Sequence, residues 1–142
     1  MGKTNWKRVF LGGVLAGVVF NILMFAASAI YLDNLFNPAL ETLNPNYQVT
    51  IGTQIFWVVL NFVSGILAVW LYSAIRPRYG AGAKTALIAG IIIWVIGPLS
   101  LDAILGVMGL FPGGTLMADG LTMLLICVVG TLLGAWVYKE QP

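Results

Sequence analysis

Two asparagines and two aspartates interrupt the apolar runs of this 142-residue chain: Asn21, Asn61, Asp102 and Asp119. Acids in hydrocarbon cost about 2.5–3.5 kcal/mol on insertion scales, and they often mark ion or proton paths. Asp102 lies 18 residues beyond Lys84, about 27 Å along an ideal helix. Asp119 lies 20 residues before Lys139, about 30 Å by the same rise. Two interpretations fit this spacing. In the first, both acids sit at the outer edge of the membrane core. Pro98 then kinks or ends the third crossing, Ser100 or Asp102 caps a following short helix, and Asp119 opens the fourth. The stretch "AILGVMGLFPGGTLMA" becomes a hydrophobic outer cap between two acids. In the second, the third crossing stays straight, Asp102 is buried, and the two acids face each other as an ion or proton site.

The two amides lie at matched depth. Asn21 is 13 residues past Arg8 and Asn61 is 15 before Arg76, so each is about 20 Å from those charges. Asn21 shares a helical face with Gly13 and Gly17, and Asn61 shares one with Gly65, Ala68 and Tyr72. Structural glue between the first two crossings, worth about 0.6–2 kcal/mol, is the simpler role. Ligation of a permeating ion or solute is the sharper one. "GVLAG" and "GTLLG" are both GxxxG motifs. Gly13 and Gly17 lie at a depth similar to Gly130 and Gly134, which predicts contact between the first and fourth crossings; homodimerisation is the alternative.

Other chemistry has no residues to carry it. There is no histidine and one cysteine, Cys127, which leaves no intrachain disulfide, no ordinary zinc or haem ligand set and no activated thiol. No deep lysine offers a Schiff base and no glycine-rich phosphate loop precedes a soluble helix. The expectation is a protein without catalysis, metal or cofactor, and without a nucleic-acid partner. Trp94, close to the midplane, packs the core or lines a site for a lipid, quinone or pigment.

These residues need a membrane-embedded scaffold. The sequence is 60% hydrophobic and 8% charged, with a mean hydropathy of +0.96, against roughly 25% charged residues in soluble domains. A single all-α membrane domain follows, with crossings at about 9–32, 53–75, 85–105 and 116–138 in a compact four-helix bundle, arranged as two parallel helical hairpins. The similarity of "LAVWLY" (Leu67 to Tyr72) to "LGAWVY" (Leu133 to Tyr138) suggests the hairpin repeat. The basic start and the "ASA" of Ala27 to Ala29 have signal-peptide form. The apolar run is too long for one, and it reads as a retained helix.

Lys3, Lys7, Arg8, Arg76, Arg78, Lys84 and Lys139 are the seven basic residues, and all fall at one end of these crossings. By the positive-inside rule both termini and the 76–84 loop, "RPRYGAGAK", are cytoplasmic. Trp6, Trp70, Tyr72, Trp136 and Tyr138 anchor the same end, while Tyr31, Phe36, Tyr47 and Trp57 gather at the other. Arg76, Arg78 and Lys84 are expected to touch lipid headgroups. The outer loop, 33–52, contains two Asn-Pro pairs that mark turns, with room for one short surface helix between them. It docks a partner or merely connects.

"WKRVFLGGVLAGVVFN", "AVWLYSAIRPRYGAGAKTAL" and "GAWVYKE" resemble a group of small bacterial four-helix membrane proteins with no established activity. The resemblance implies a multi-pass protein of the bacterial inner membrane and transfers no site. Small multidrug transporters are similar in size, but their acid within the first helix has no counterpart between Val9 and Leu32. The glycine- and threonine-rich signatures of fluoride channels are also missing. The leading expectation is an accessory or scaffold subunit packing against other membrane proteins. A small oligomeric transporter or channel comes next, using Asn21, Asn61, Asp102 and Asp119. A lipid- or pigment-binding module is third.

Overall fold

A computed structural model describes residues 4–140, so Lys3 lies outside the described residues. The described residues are helical apart from short connections and ends, without strands. Four helices are long and apolar enough to cross a membrane: Trp6–Leu43, Ile51–Tyr79, Ala83–Val107 and Gly113–Val137. The first comprises α1 (Trp6–Ala27), a π turn (Ser28–Leu32) and α2 (Asp33–Leu43). Ile51–Tyr79 is α3. The third comprises α4 (Ala83–Trp94), a second π turn (Val95–Leu99) and α5 (Ser100–Val107), and Gly113–Val137 is α6.

Local chemistry sets the ends. Asn5 caps α1 by accepting from the Arg8 N–H at 3.2 Å. Thr50 and Thr53 cap α3 reciprocally, each side chain accepting from the other's backbone N–H at 3.2 and 2.9 Å. Between α3 and α4 the chain turns within three residues. Gly80 and Gly82 there hold φ of 85° and 129°, in the region that favours glycine.

Three boundaries differ from the sequence expectation. The first crossing does not end at Leu32; Asn37–Pro38 is not a turn but lies inside α2. The carbonyl that Pro38 leaves without its helical donor belongs to Asn34, which is exposed and open to solvent. The second pair, Asn44–Pro45, does end the helix: Asn44 Oδ1 accepts from the Asn46 N–H at 3.3 Å, in an Asx turn. Most of the expected 76–84 loop is helical, since α3 runs through Pro77 to Tyr79. Pro98 does not end the third crossing either. The helix widens into the π turn around it, and the Ser100 hydroxyl donates to the Val95 carbonyl at 2.6 Å.

The bundle is a ring in which α1 packs on α3 and α6, and α4 packs on α6 and α3. Each long helix therefore adjoins its neighbours in sequence, and the last returns to the first. The centre is lined by small residues, with Ala16, Ala68, Ala89 and Thr131 fully buried. Close backbone approach and dispersion hold such a bundle together where lipid removes the hydrophobic driving force. The outside is apolar in turn: Phe25, Ile96, Val107 and Trp136 are exposed, as a hydrocarbon solvent allows.

Candidate functional site

The two acids meet. Asp102 lies in the first turn of α5 and is 7% exposed. Its carboxyl group adjoins that of Asp119, half-buried on α6. Asp102 does not cap α5, which starts directly from the π turn without a side-chain cap. The capping role therefore falls away, and the Asp102 carboxyl is packed between α5 and α6. Among the described residues no N–H or hydroxyl group donates to Asp102 Oδ2; its polar neighbour is the Asp119 carboxyl, with which it can share a proton, and burial without a donor is costly for a carboxylate. Gly120 makes the approach possible, because a Cβ there would stand 3.3 Å from Oδ2.

Both π turns frame this pair. The Val95–Leu99 turn immediately precedes α5 and sets the direction in which Asp102 enters the bundle. The Ser28–Leu32 turn carries Tyr31, whose hydroxyl is bonded to that of Thr122. The Thr122 hydroxyl donates to the Ala118 carbonyl at 2.6 Å, so Tyr31 is the donor to Thr122. Thr115, Asp119 and Thr122 follow at helical spacing on α6, and Thr115 donates to the Leu35 carbonyl at 3.4 Å. Trp94 donates its indole N–H to the Gly120 carbonyl at 2.8 Å. It thus ties α4 to α6 beside the acids. The sequence places Tyr31 among the aromatic residues of the outer end but does not distinguish Thr122 or Gly120; the three-residue step from Asp119 to Thr122 is the signal for their shared face.

Asn21 and Asn61 form a separate feature. Asn61 donates its side-chain amide to Asn21 Oδ1 at 3.1 Å, and Asn21 donates to the Gly17 carbonyl at 2.9 Å. The amides therefore join α1 to α3 as glue, on an edge away from the acid pair's partners.

The glycines distribute differently from expectation. Gly13 and Gly17 face α3, not α6: a Cβ on either would stand 2.5 Å from Ile66 or Phe62. Gly65 meets them from the other side. Gly130 and Gly134 do pack on α1, but against Phe20, Ala16 and Gly12. Two helix faces, four residues long in repeat but offset by one position, let α1 serve both neighbours. Cys127 is buried against α4, where its carbonyl lies 3.0 Å from a Cβ placed on Gly90. At the basic end Arg78 and Lys84 are exposed, while Arg76 turns inward beside Tyr138.

No family model, curated protein or solved structure matches the chain.

Proposed function

We propose that the protein is a small oligomeric transporter or channel in which Asp102 and Asp119 form the exchange site for a proton or small cation. One observation carries this: a buried acid with an unpartnered oxygen, set against a second acid inside an apolar helical layer. Two anions in contact repel strongly where the dielectric is low, and a proton or cation between them removes that repulsion. The acids thus have a chemical reason to bind and release a positive charge. The framing π turns support the reading, since such irregularities collect at functional sites. A bundle this short has little room for a pore inside one protomer, which favours an oligomer. On this reading the basic ends face the cytoplasm of a bacterial inner membrane, as the clustering of Lys and Arg at one end supports. Impermeant maleimide should then label Ala81→Cys only from inside the cell and Asn46→Cys only from outside.

The test is flux in proteoliposomes, with interior pH and sodium followed by dyes. Wild type should dissipate an imposed proton or sodium gradient, and Asp102→Asn and Asp119→Asn should fall to the empty-liposome baseline. Asp33→Asn, at an exposed acid, should retain full flux. Normal flux in Asp102→Asn overturns the proposal.

A second reading, an accessory or scaffold subunit, is favoured by α2. It exposes Asp33, Asn37 and Glu41 along one side, a polar strip suited to a partner. Stoichiometric co-purification with larger membrane proteins in mild detergent would favour this reading; a homodimer without partners would count against it.

A further inference from the structure

The basic end of the bundle holds a second polar anomaly, remote from the acids. Arg76 carries five N–H donors, yet none makes a hydrogen bond among the described residues. Among the described residues its ion-pair partner is the Glu140 carboxylate, 3.6 Å from Nε, beyond hydrogen-bonding range. Nη1 is out of solvent and unpartnered. The guanidinium lies over the Tyr138 ring, 5.5 Å from its centroid, which leaves the in-plane donors free.

Arg76 lines a half-open cavity of about 300 Å³ between α3, α4 and α6. Its other walls divide by chemistry. Tyr72 and Tyr138 contribute hydroxyls that already accept backbone N–H groups, from Gly82 at 3.2 Å and Asn5 at 3.3 Å. Each therefore keeps its own O–H to donate. Gly82 and Ala83 contribute the opening turn of α4, which has no side-chain cap, so its first N–H groups lack helical partners. Ala86, Leu132 and Trp136 make the remaining wall apolar. An assembly of donors around one cation, whose pairing with Glu140 closes without a hydrogen bond, suits an oxyanion with several acceptors. The adjoining apolar wall suits an acyl chain.

We propose that this cavity binds a phosphate group, held by the Arg76 guanidinium and displacing Glu140 from it. Basic pockets between membrane helices take lipid headgroups in this manner, and arginine matches phosphate through paired N–H donors. Glu140, in the non-helical segment after α6, is the internal competitor that yields when phosphate enters. The apolar wall makes a phospholipid the expected carrier; a soluble phosphate would use the same donors without it.

Native mass spectrometry of the full chain, titrated with phosphatidylglycerol, tests the site. One lipid per chain should bind. Affinity should drop at least tenfold in Arg76→Gln, stay unchanged in Lys7→Gln, at an exposed cation outside the cavity, and rise severalfold in Glu140→Gln. The last variant matters if Arg76→Gln fails to fold, since damage to the fold does not tighten binding. Inorganic phosphate at millimolar concentration should leave lipid binding intact; if it displaces the lipid, the phosphate site stands and its carrier is soluble. Equal lipid affinity in Arg76→Gln, or no gain in Glu140→Gln, overturns the proposal.

Discussion

The α1–α3 seam and the acid pair are both polar features inside an apolar bundle, yet they are built on opposite terms. In the seam, Asn61 donates to Asn21, Asn21 donates to Gly17, and glycines bring the backbones together around them. Between α5 and α6, Asp102 is more deeply buried than either amide, yet among the described residues no N–H or hydroxyl donates to its Oδ2, and it confronts a like group. The first arrangement stabilises the fold. The second costs stability, and a cost retained in a small bundle suggests use. Ion-handling sites are expected to be strained in this way, whereas packing seams are expected to be satisfied.

The contrast can be broken first at the seam. A Cβ on Gly65 would stand 2.5 Å from the Gly17 nitrogen and 2.6 Å from the Gly13 carbonyl oxygen. Both are backbone atoms, so no rotamer change relieves the clash. Gly65→Leu should separate α1 from α3 and cost more than about 3 kcal/mol. Unfolding by SDS titration, read by far-ultraviolet circular dichroism, should show the loss. A near wild-type midpoint would mean that the seam is not close-packed.

Asn61→Ala comes next. It removes the 3.1 Å amide bond and leaves Asn21 Oδ1 without that donor, at a cost of roughly 0.6–2 kcal/mol. A double-mutant cycle with Asn21→Ala should return a coupling of about 0.6 kcal/mol or more. Zero coupling would show that the two amides act separately, and flux lost with unchanged stability would move them to the transport site.

That these two amides stand level with each other could be read from the sequence, because it depends only on counting residues from the nearest charges. The same holds for the four crossings, which length and hydropathy determine. Rotation about a helix axis is harder to read. On α1, Gly13 and Gly17 lie beside Gly12 and Ala16, so small residues cover two adjacent faces. Sequence alone does not say which face takes α3 and which takes α6. The π turns compound this. Each adds a residue to one turn and rotates everything after it by about 100°. That shift brings Tyr31 to Thr122 and lets α5 continue past Pro98 with Asp102 turned inward. Proline signals a break in the helical ladder, but whether the chain stops or widens depends on what can satisfy the freed carbonyls.

Trp94→Phe probes the border between the two regions. An aromatic ring is kept, but the 2.8 Å bond to the Gly120 carbonyl is lost together with half of the indole bicycle, which should cost at least about 1 kcal/mol. Because Gly120 also lies beside Asp102 Oδ2, the variant should reduce flux as well as stability. A stability loss with unaltered flux would make Trp94 a packing residue only.

The smallest change in stability is expected where the functional change is largest. In Asp102→Asn one carboxyl oxygen becomes an amide N–H₂, which gives Asp119 a donor in place of a like charge. The substitution nearly preserves volume, so no cavity opens. It also removes the reason for an unpartnered buried oxygen. SDS or thermal unfolding should therefore show no loss, and a gain of up to about 1 kcal/mol. Flux should nevertheless vanish, since a neutral amide offers neither a proton nor a second negative charge for a cation. A merely structural acid predicts another pattern: stability falling with the side chain's removal and flux falling only in proportion. The sign of the stability change, measured beside the flux, therefore decides whether the acid pair serves transport or the fold.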